Sequence, residues 1–397
     1  MSTPPENSHP LDGILIADFS RILAGPYATM LLADLGAEVI KVESPTGDDT
    51  RTWIPPERDG VATYYLGINR NKRSVSLDLS TEDDRALAQE LAARSDILIE
   101  NFKPGGLGRF GLDYESLRPT NPGLIYASIS GFGTAEGATL PGYDLLVQAA
   151  SGLMSLTGSP EGPPYRAGIS VFDVMTGMHT AIGVLSALHQ RQATGTGQHL
   201  EMNLMSSALS GLVNHTAAHV AGGVVPQRMG NAHPSLFPYE PLPTADRELI
   251  VIAGNDGQFR RLCTALGLEN LPDDERFRTT EDRTHNRDQL RPLLVERLCQ
   301  RPADEWFETL SAAGVPCGPI NSVDQGVQLA RDLGLDPVVT IPRDTAELPS
   351  IRNPITFSDA SPRYDLPPPE LDEHGADIRA WLRSPRHAPT THTKERP

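Results

Sequence analysis

Cysteine is scarce in this chain of 397 residues: Cys263, Cys299 and Cys317 are scattered and odd in number. They lack metal-ligand spacing, so neither a disulfide framework nor a structural metal is expected, and a reducing compartment is. Positive charge is also short. The 34 Lys and Arg against 51 Asp and Glu leave a formal net charge of −17, which argues against a nucleic-acid partner, whose phosphates call for a basic face. A small anionic substrate stays open, because local basic clusters decide that. No apolar run reaches the ~18 residues of a membrane span, so no membrane partner is expected. The opening MSTPPENSHP has no basic n-region and no apolar h-region. It reads as a short disordered lead-in to a cytoplasmic protein.

What is present is ordinary globular material, 39% hydrophobic and 21% charged, at a length that points to two domains. The first half alternates apolar strands with helical spacing. Strands are expected at 14–19, 38–42, 96–99, 124–128 and 198–203, and helices at 24–35, 81–94, 143–156, 172–191 and 204–222. This alternation predicts an α/β fold with a parallel sheet covered by helices. Five prolines between 223 and 245 read as a linker. A smaller α/β unit is expected over 246–333, with the large domain made of 1–222 and 334–397. The last dozen residues read as disordered.

One formal GxGxxG occurs, at Gly106, Gly108 and Gly111. A dinucleotide fingerprint needs these glycines directly after a strand and opening a helix, with an acid ~20 residues on. Here Lys103, Pro104 and Gly105 intervene and no long helical pattern follows, so an NAD-dependent dehydrogenase is the weaker alternative. The run Asn69–Arg73 (NRNKR) reads either as a solvated basic turn or as a local phosphate contact. Asn101, Phe102, Lys103 and Arg109 lie just past the carboxyl end of a predicted parallel strand, where open α/β sheets place ligands. The stretch 167–187 is rich in small and apolar residues and holds a single carboxylate, Asp173. Burying it is costly unless it is hydrogen-bonded or has a task. It reads as an N-cap, as a nucleophile kept ionised by the helix N-terminus, or as both. His179 reads as a packed helix residue, and Tyr143 as a hydrogen-bond donor to a carbonyl.

The blocks 18–43 (DFSRILAGPYATMLLADLGAEVIKVE), 69–79 (NRNKRSVSLDL) and 100–117 (ENFKPGGLGRFGLDYESL) carry a resemblance that runs almost the whole chain. So do 142–158 (GYDLLVQAASGLMSLTG), 172–188 (FDVMTGMHTAIGVLSAL), 195–209 and 313–323. The sequence resembles the class III CoA-transferases. The resemblance implies a Rossmann-like large domain, a smaller α/β domain, and a ring-shaped monomer interlocked with a second copy as a homodimer. It implies that Asp173 is the nucleophile, and that Ile22, Leu23, Ala24, Lys72, Asn101, Phe102, Lys103 and Arg109 hold CoA, with Tyr143 beside them. Ser44 stands where relatives carry an arginine that stacks on the adenine, and Arg51 or Lys41 are the candidate substitutes. The glycine-rich loop that closes over the formyl-CoA transferase site has no counterpart here.

On this resemblance the chemistry needs no resident cofactor and no metal; coenzyme A and its acyl thioesters are substrates. Asp173 attacks the thioester, forming a mixed anhydride, then an aspartyl-CoA thioester, and finally passes CoA to an acceptor acid. Racemases of the same family need a histidine where Tyr143 stands. An ordinary phenol, with pKa about 10, suits α-proton exchange poorly. The segments 47–53 and 230–259 look most like the branch using succinyl-CoA with glutarate or hydroxymethylglutarate. A dicarboxylic acceptor would then be clamped by Arg51, Arg166 or His233.

Overall fold

In the computed structural model, residues 9–343 and 347–386 are described. The expected lead-in and most of the expected disordered tail lie outside them. The chain forms two compact units. The first runs to Gly152, resumes over Ala167–Gly223 and takes up the chain again from Asp336.

Its frame is a six-stranded, wholly parallel sheet: β1 (Leu15–Asp18), β2 (Glu38–Glu43), β3 (Lys72–Ser76), β4 (Ile97–Glu100), β5 (Ile125–Ser130) and β6 (His199–Asn203). The order across the sheet is β3-β2-β1-β4-β5-β6. Strands β1 and β4 are buried at every residue, as central parallel strands covered on both faces must be. Helix α1 (Ala24–Asp34) follows β1. Helix α2 (Glu82–Arg94) opens on Thr81, whose hydroxyl accepts from the Asp84 N–H, with Glu82, Asp83 and Asp84 in its first turn. That cap and dipole pairing explain why the chain turns helical there.

Three expectations change. The basic run 69–73 is no solvated turn: Asn69, Arg70, Asn71 and Lys72 are all buried, and Lys72 opens strand β3. Their charges are matched inside, Arg70 by Asp34 at 2.6 Å and Lys72 by Asp18 at 3.1 Å. The helix expected over 143–156 breaks at Gly152 (φ +98°), leaving α3 (Asp144–Ala150) and a single turn after it. The helix expected over 204–222 breaks at Val213 (φ +34°), leaving α5 (Leu204–Gly211) and Asn214–Val220.

Between α3 and α5 lies α4 (Val171–Thr194), 24 residues long. By length and composition alone it is apolar enough to cross a membrane, yet one face packs on α1. Gly177 makes that contact possible, because a Cβ there would stand 2.6 Å from the Ala24 carbonyl oxygen.

The second unit comprises Leu153–Arg166 and Val224–Leu335. Strands β7 (Tyr239–Pro243), β8 (Glu248–Ile252) and β9 (Cys317–Pro319) form an antiparallel sheet. Helices α6 (Asp256–Leu266), α7 (Arg287–Leu298) and α8 (Ala303–Ala312) share with it a core around Phe259, Leu294 and Trp306. The proline-rich stretch expected as a linker thus contributes β7 to this sheet. Beyond it, α9 (Gly375–Arg383) returns to the first unit, where Ile378 and Leu382 join the core against α2.

Candidate active site

The strand order reverses between β1 and β4, so the loops leaving their carboxyl ends diverge and open a crevice. The Asn101 amide spans the two loops: Oδ1 accepts from the Arg21 N–H (2.9 Å) and Nδ2 donates to the Arg21 carbonyl (2.7 Å). The next residue, Ile22, sits at φ +71°, a left-handed conformation that a β-branched side chain rarely adopts. Its N–H faces the Asp48 carboxylate at 3.3 Å. These loops, the glycine-rich segment 131–142 and the head of α4 enclose a cleft of about 1310 Å³.

Asp173 lies in the first turn of α4 and lines that cleft. It does not cap its own helix. Asp144 does so from α3, its Oδ1 accepting from the N–H groups of Phe172 (2.8 Å) and Asp173 (3.2 Å). Gln148, one turn further along α3, donates to Asp144 and to the Ile169 carbonyl (3.1 Å) and accepts from the Ala167 N–H (2.8 Å). The approach to α4 is therefore held at several points, and the Asp173 Cα is fixed with it.

The expectation that the helix end would lower the Asp173 pKa and keep it ionised is reversed. Burial, and then the neighbouring Asp144, push its carboxyl up to about 7, because both effects disfavour the charged form. Sequence reasoning also passed over Tyr64. Its phenol is pushed up to about 12, by burial first and then by the charge of Asp173, while the Ser170 side chain bonds to it. Trp53 packs edge-on against Tyr64 with ring centroids 5.1 Å apart. The sole sequence signal here was the aromatic pair Tyr64–Tyr65, which periodicity does not rank; Tyr65 is wholly buried.

Ile22, Leu23, Ala24, Asn101, Phe102, Lys103, Arg109 and Tyr143 all line the cleft, as does Ser44. Lys72 does not: it is fully buried, bonded to Asp18, Asn69 and the Pro26 carbonyl, which leaves no direction for a ligand. Arg51 is likewise taken, by a bidentate pair with Glu43 (2.8 and 2.7 Å), the Tyr65 hydroxyl and the Pro369 carbonyl. Lys41 is pinned on Asp48 and the Ser20 carbonyl. Neither Arg51 nor Lys41 is placed to replace the adenine-stacking arginine. Arg166 and His233 belong to the second unit.

The GxGxxG segment is a chain of tight turns, with Gly105 and Gly111 at φ +75° and +65° around a three-residue 3-10 turn. It opens no helix of the kind a dinucleotide pyrophosphate needs. Among the described residues no group of three His, Cys, Asp or Glu could hold a metal.

A parallel α/β unit with a carboxylate-bearing helix facing its switch-point crevice is a frame that binds a ligand beyond the carboxyl ends of its strands. The sequence matches CoA-transferase family III over residues 11–375. It is 43% identical over 395 residues to the succinate–glutarate CoA-transferase of Agrobacterium fabrum, spanning 96% of this chain and 98% of that one. It is 38% identical over 375 residues to the human succinyl-CoA:glutarate CoA-transferase, spanning 94% and 86%. A CAIB/BAIF family protein from Brucella suis has the same fold, with a TM-score of 0.84 and 45% identity over 95% of this chain and all of that one. The chain belongs to CoA-transferase family III.

Proposed function

We propose that this enzyme moves CoA from succinyl-CoA to a dicarboxylic acid, with Asp173 as the nucleophile. The observation that carries this reading is the Asp173 carboxylate, held at the head of α4 and facing a cleft large enough for a CoA thioester. The names of the relatives supply donor and acceptor class.

The Asp173 carboxylate attacks the thioester carbonyl carbon. The C–S bond breaks, the thiolate leaves, and an aspartyl–succinyl anhydride remains. The thiolate then attacks the aspartyl carbonyl and expels succinate, leaving an aspartyl-CoA thioester. The acceptor carboxylate attacks that thioester, forming a second anhydride and releasing thiolate, which returns to the acceptor's acyl carbon and frees Asp173. Each addition places negative charge on a carbonyl oxygen, and N–H groups of the 131–142 turns are within the same cleft to receive it. Ile22, Leu23, Ala24, Asn101, Phe102, Lys103 and Arg109 hold the CoA, and Tyr143 faces the thioester. For the acceptor's second carboxylate, Arg166 and His233 are the residues to substitute; Arg51 drops out because its Nε and Nη2 bind Glu43, Tyr65 and Pro369 and it does not line the cleft.

The working unit in this reading is an interlocked homodimer of ring-shaped monomers in the cytoplasm. An uncovered apolar stripe supports a second copy: Met178, Ile182 and Leu185 of α4 are exposed, and so are Leu145, Leu146 and Leu209. Such a row is out of place on a monomer's surface.

Intact-protein mass spectrometry after mixing with succinyl-CoA, with hydroxylamine trapping, tests the mechanism. Wild type should gain an adduct that maps to Asp173, and Asp173→Ala should gain none. A wild-type protein that exchanges CoA without any adduct would overturn the covalent route, and α-proton exchange without transfer would favour a racemase.

A further inference from the structure

The cleft wall carries four cations, Arg21, Lys41, Lys103 and Arg109. Lys41 is fully buried and neutralised by Asp48 at 2.9 Å. Lys103 and Arg109 leave the β4 loop and have no ion-pair partner among the described residues. Arg21 faces them from the β1 loop, and it alone of the exposed three is held by an acid, Asp49 at 2.9 Å.

The adjacent residues Asp48 and Asp49 have opposite fates. Asp48 turns inward to Lys41 and the Thr50 N–H, and it is a structural acid. Asp49 turns outward, with 52% of its side chain exposed against 64% for Arg21. A pair that open contributes little to stability. Meanwhile the Arg21 main chain is fastened on both sides by Asn101. The backbone is fixed, and the guanidinium is held by one solvent-exposed carboxylate contact.

Resting on the reading that a CoA thioester fills this cleft, we propose that Arg21 binds a phosphate of that thioester and that Asp49 is its built-in competitor. The guanidinium fork leaves the monodentate Asp49 contact for a phosphate oxygen, joining Lys103 and Arg109 across the crevice. Asp49 thereby weakens CoA binding, which favours release of the product thioester.

Calorimetric titration with CoA, and with pantetheine as the phosphate-free probe, tests this on the full-length protein. Arg21→Ala should weaken CoA binding about 10-fold and Arg21→Lys should recover part of it, whereas Asp49→Asn should tighten it about threefold. None of the three should change the affinity for pantetheine. Two results would overturn the proposal: both Arg21→Ala and Asp49→Asn weakening CoA, as loss of a structural ion pair would do, or pantetheine shifting as far as CoA. Binding needs no transfer. A protein that shows this pattern yet forms no adduct with succinyl-CoA sinks the covalent Asp173 route and keeps this one.

Discussion

Two groups of buried acids sit within the same unit and behave in opposite ways. Beneath the cleft, Asp18, Glu43 and Asp48 are each met by a cation. Against the opposing effect of burial, Lys72 and Lys41, with the hydroxyls of Ser20 and Thr29, hold Asp18 below its ordinary range. Glu43 and Asp48 are held down in the same way, by Arg51 and Lys41. At the head of α4, Asp144 and Asp173 face each other with no cation between them, and Asp173 rises to about 7. The paired acids have spent their charge on holding strands β1, β2 and β3 in register. The unpaired one is the carboxylate to which the proposed mechanism assigns the chemistry.

The two groups also pull stability in opposite directions with pH. Asp18 binds its proton less readily folded than unfolded, so its contribution is present above the ordinary carboxylate pKa and lost as pH falls through its depressed value. Asp173 binds its proton more readily folded, so the native state gains stability as pH falls from about 7 towards its ordinary 3.8.

The sharpest test of this contrast exchanges the reactive acid for its amide. Asp173→Asn should lower the transfer rate by at least about 10³-fold and, at pH 8, raise the melting temperature by relieving a buried charge. A variant that loses activity and stability together would place Asp173 with the structural acids. Removing a cation from the other group should act on folding instead. Lys72→Met removes the cation in contact with buried Asp18, which should cost about 3–5 kcal/mol in urea unfolding; a loss of CoA affinity at unchanged stability would return Lys72 to the binding site.

A third variant touches only the support of α4. Gly177→Val sets a side chain against the Ala24 carbonyl and the Tyr27 ring, 2.6 and 3.2 Å from the Cβ position. It should destabilise by about 1–3 kcal/mol and lower kcat by displacing Asp173. The smallest effect is on the pH profile. With the carboxylate as the proposed nucleophile, log kcat/KM should fall with unit slope below about pH 7, and Asp144→Asn should move that limb to lower pH, since a like charge is gone. An unmoved limb would assign the shift to burial alone.

Much of this was legible from one-dimensional pattern. The alternation of apolar runs with helical spacing placed five of the six parallel strands and the long helix bearing Asp173. Eight of the residues expected around CoA do line one cleft. Three of the cations put forward as ligand contacts have their charge matched within the protein. Lys72, Arg51 and Lys41 read as ligand-binding because a sequence displays a charge without its partner. Their acids lie 54, 8 and 7 residues away, and only the packing of β1, β2 and β3 brings them together.

By itself, then, the sequence determined the fold class, the family and the identity of the lone carboxylate, since these depend on local periodicity and on ordered blocks of residues. Tertiary structure alone decided which charges are neutralised, that Asp144 rather than Asp173 caps α4, and that Tyr64 stands beside Asp173. Each of these depends on distance and burial between segments far apart in the chain, and electrostatic energy follows distance in space rather than position in sequence.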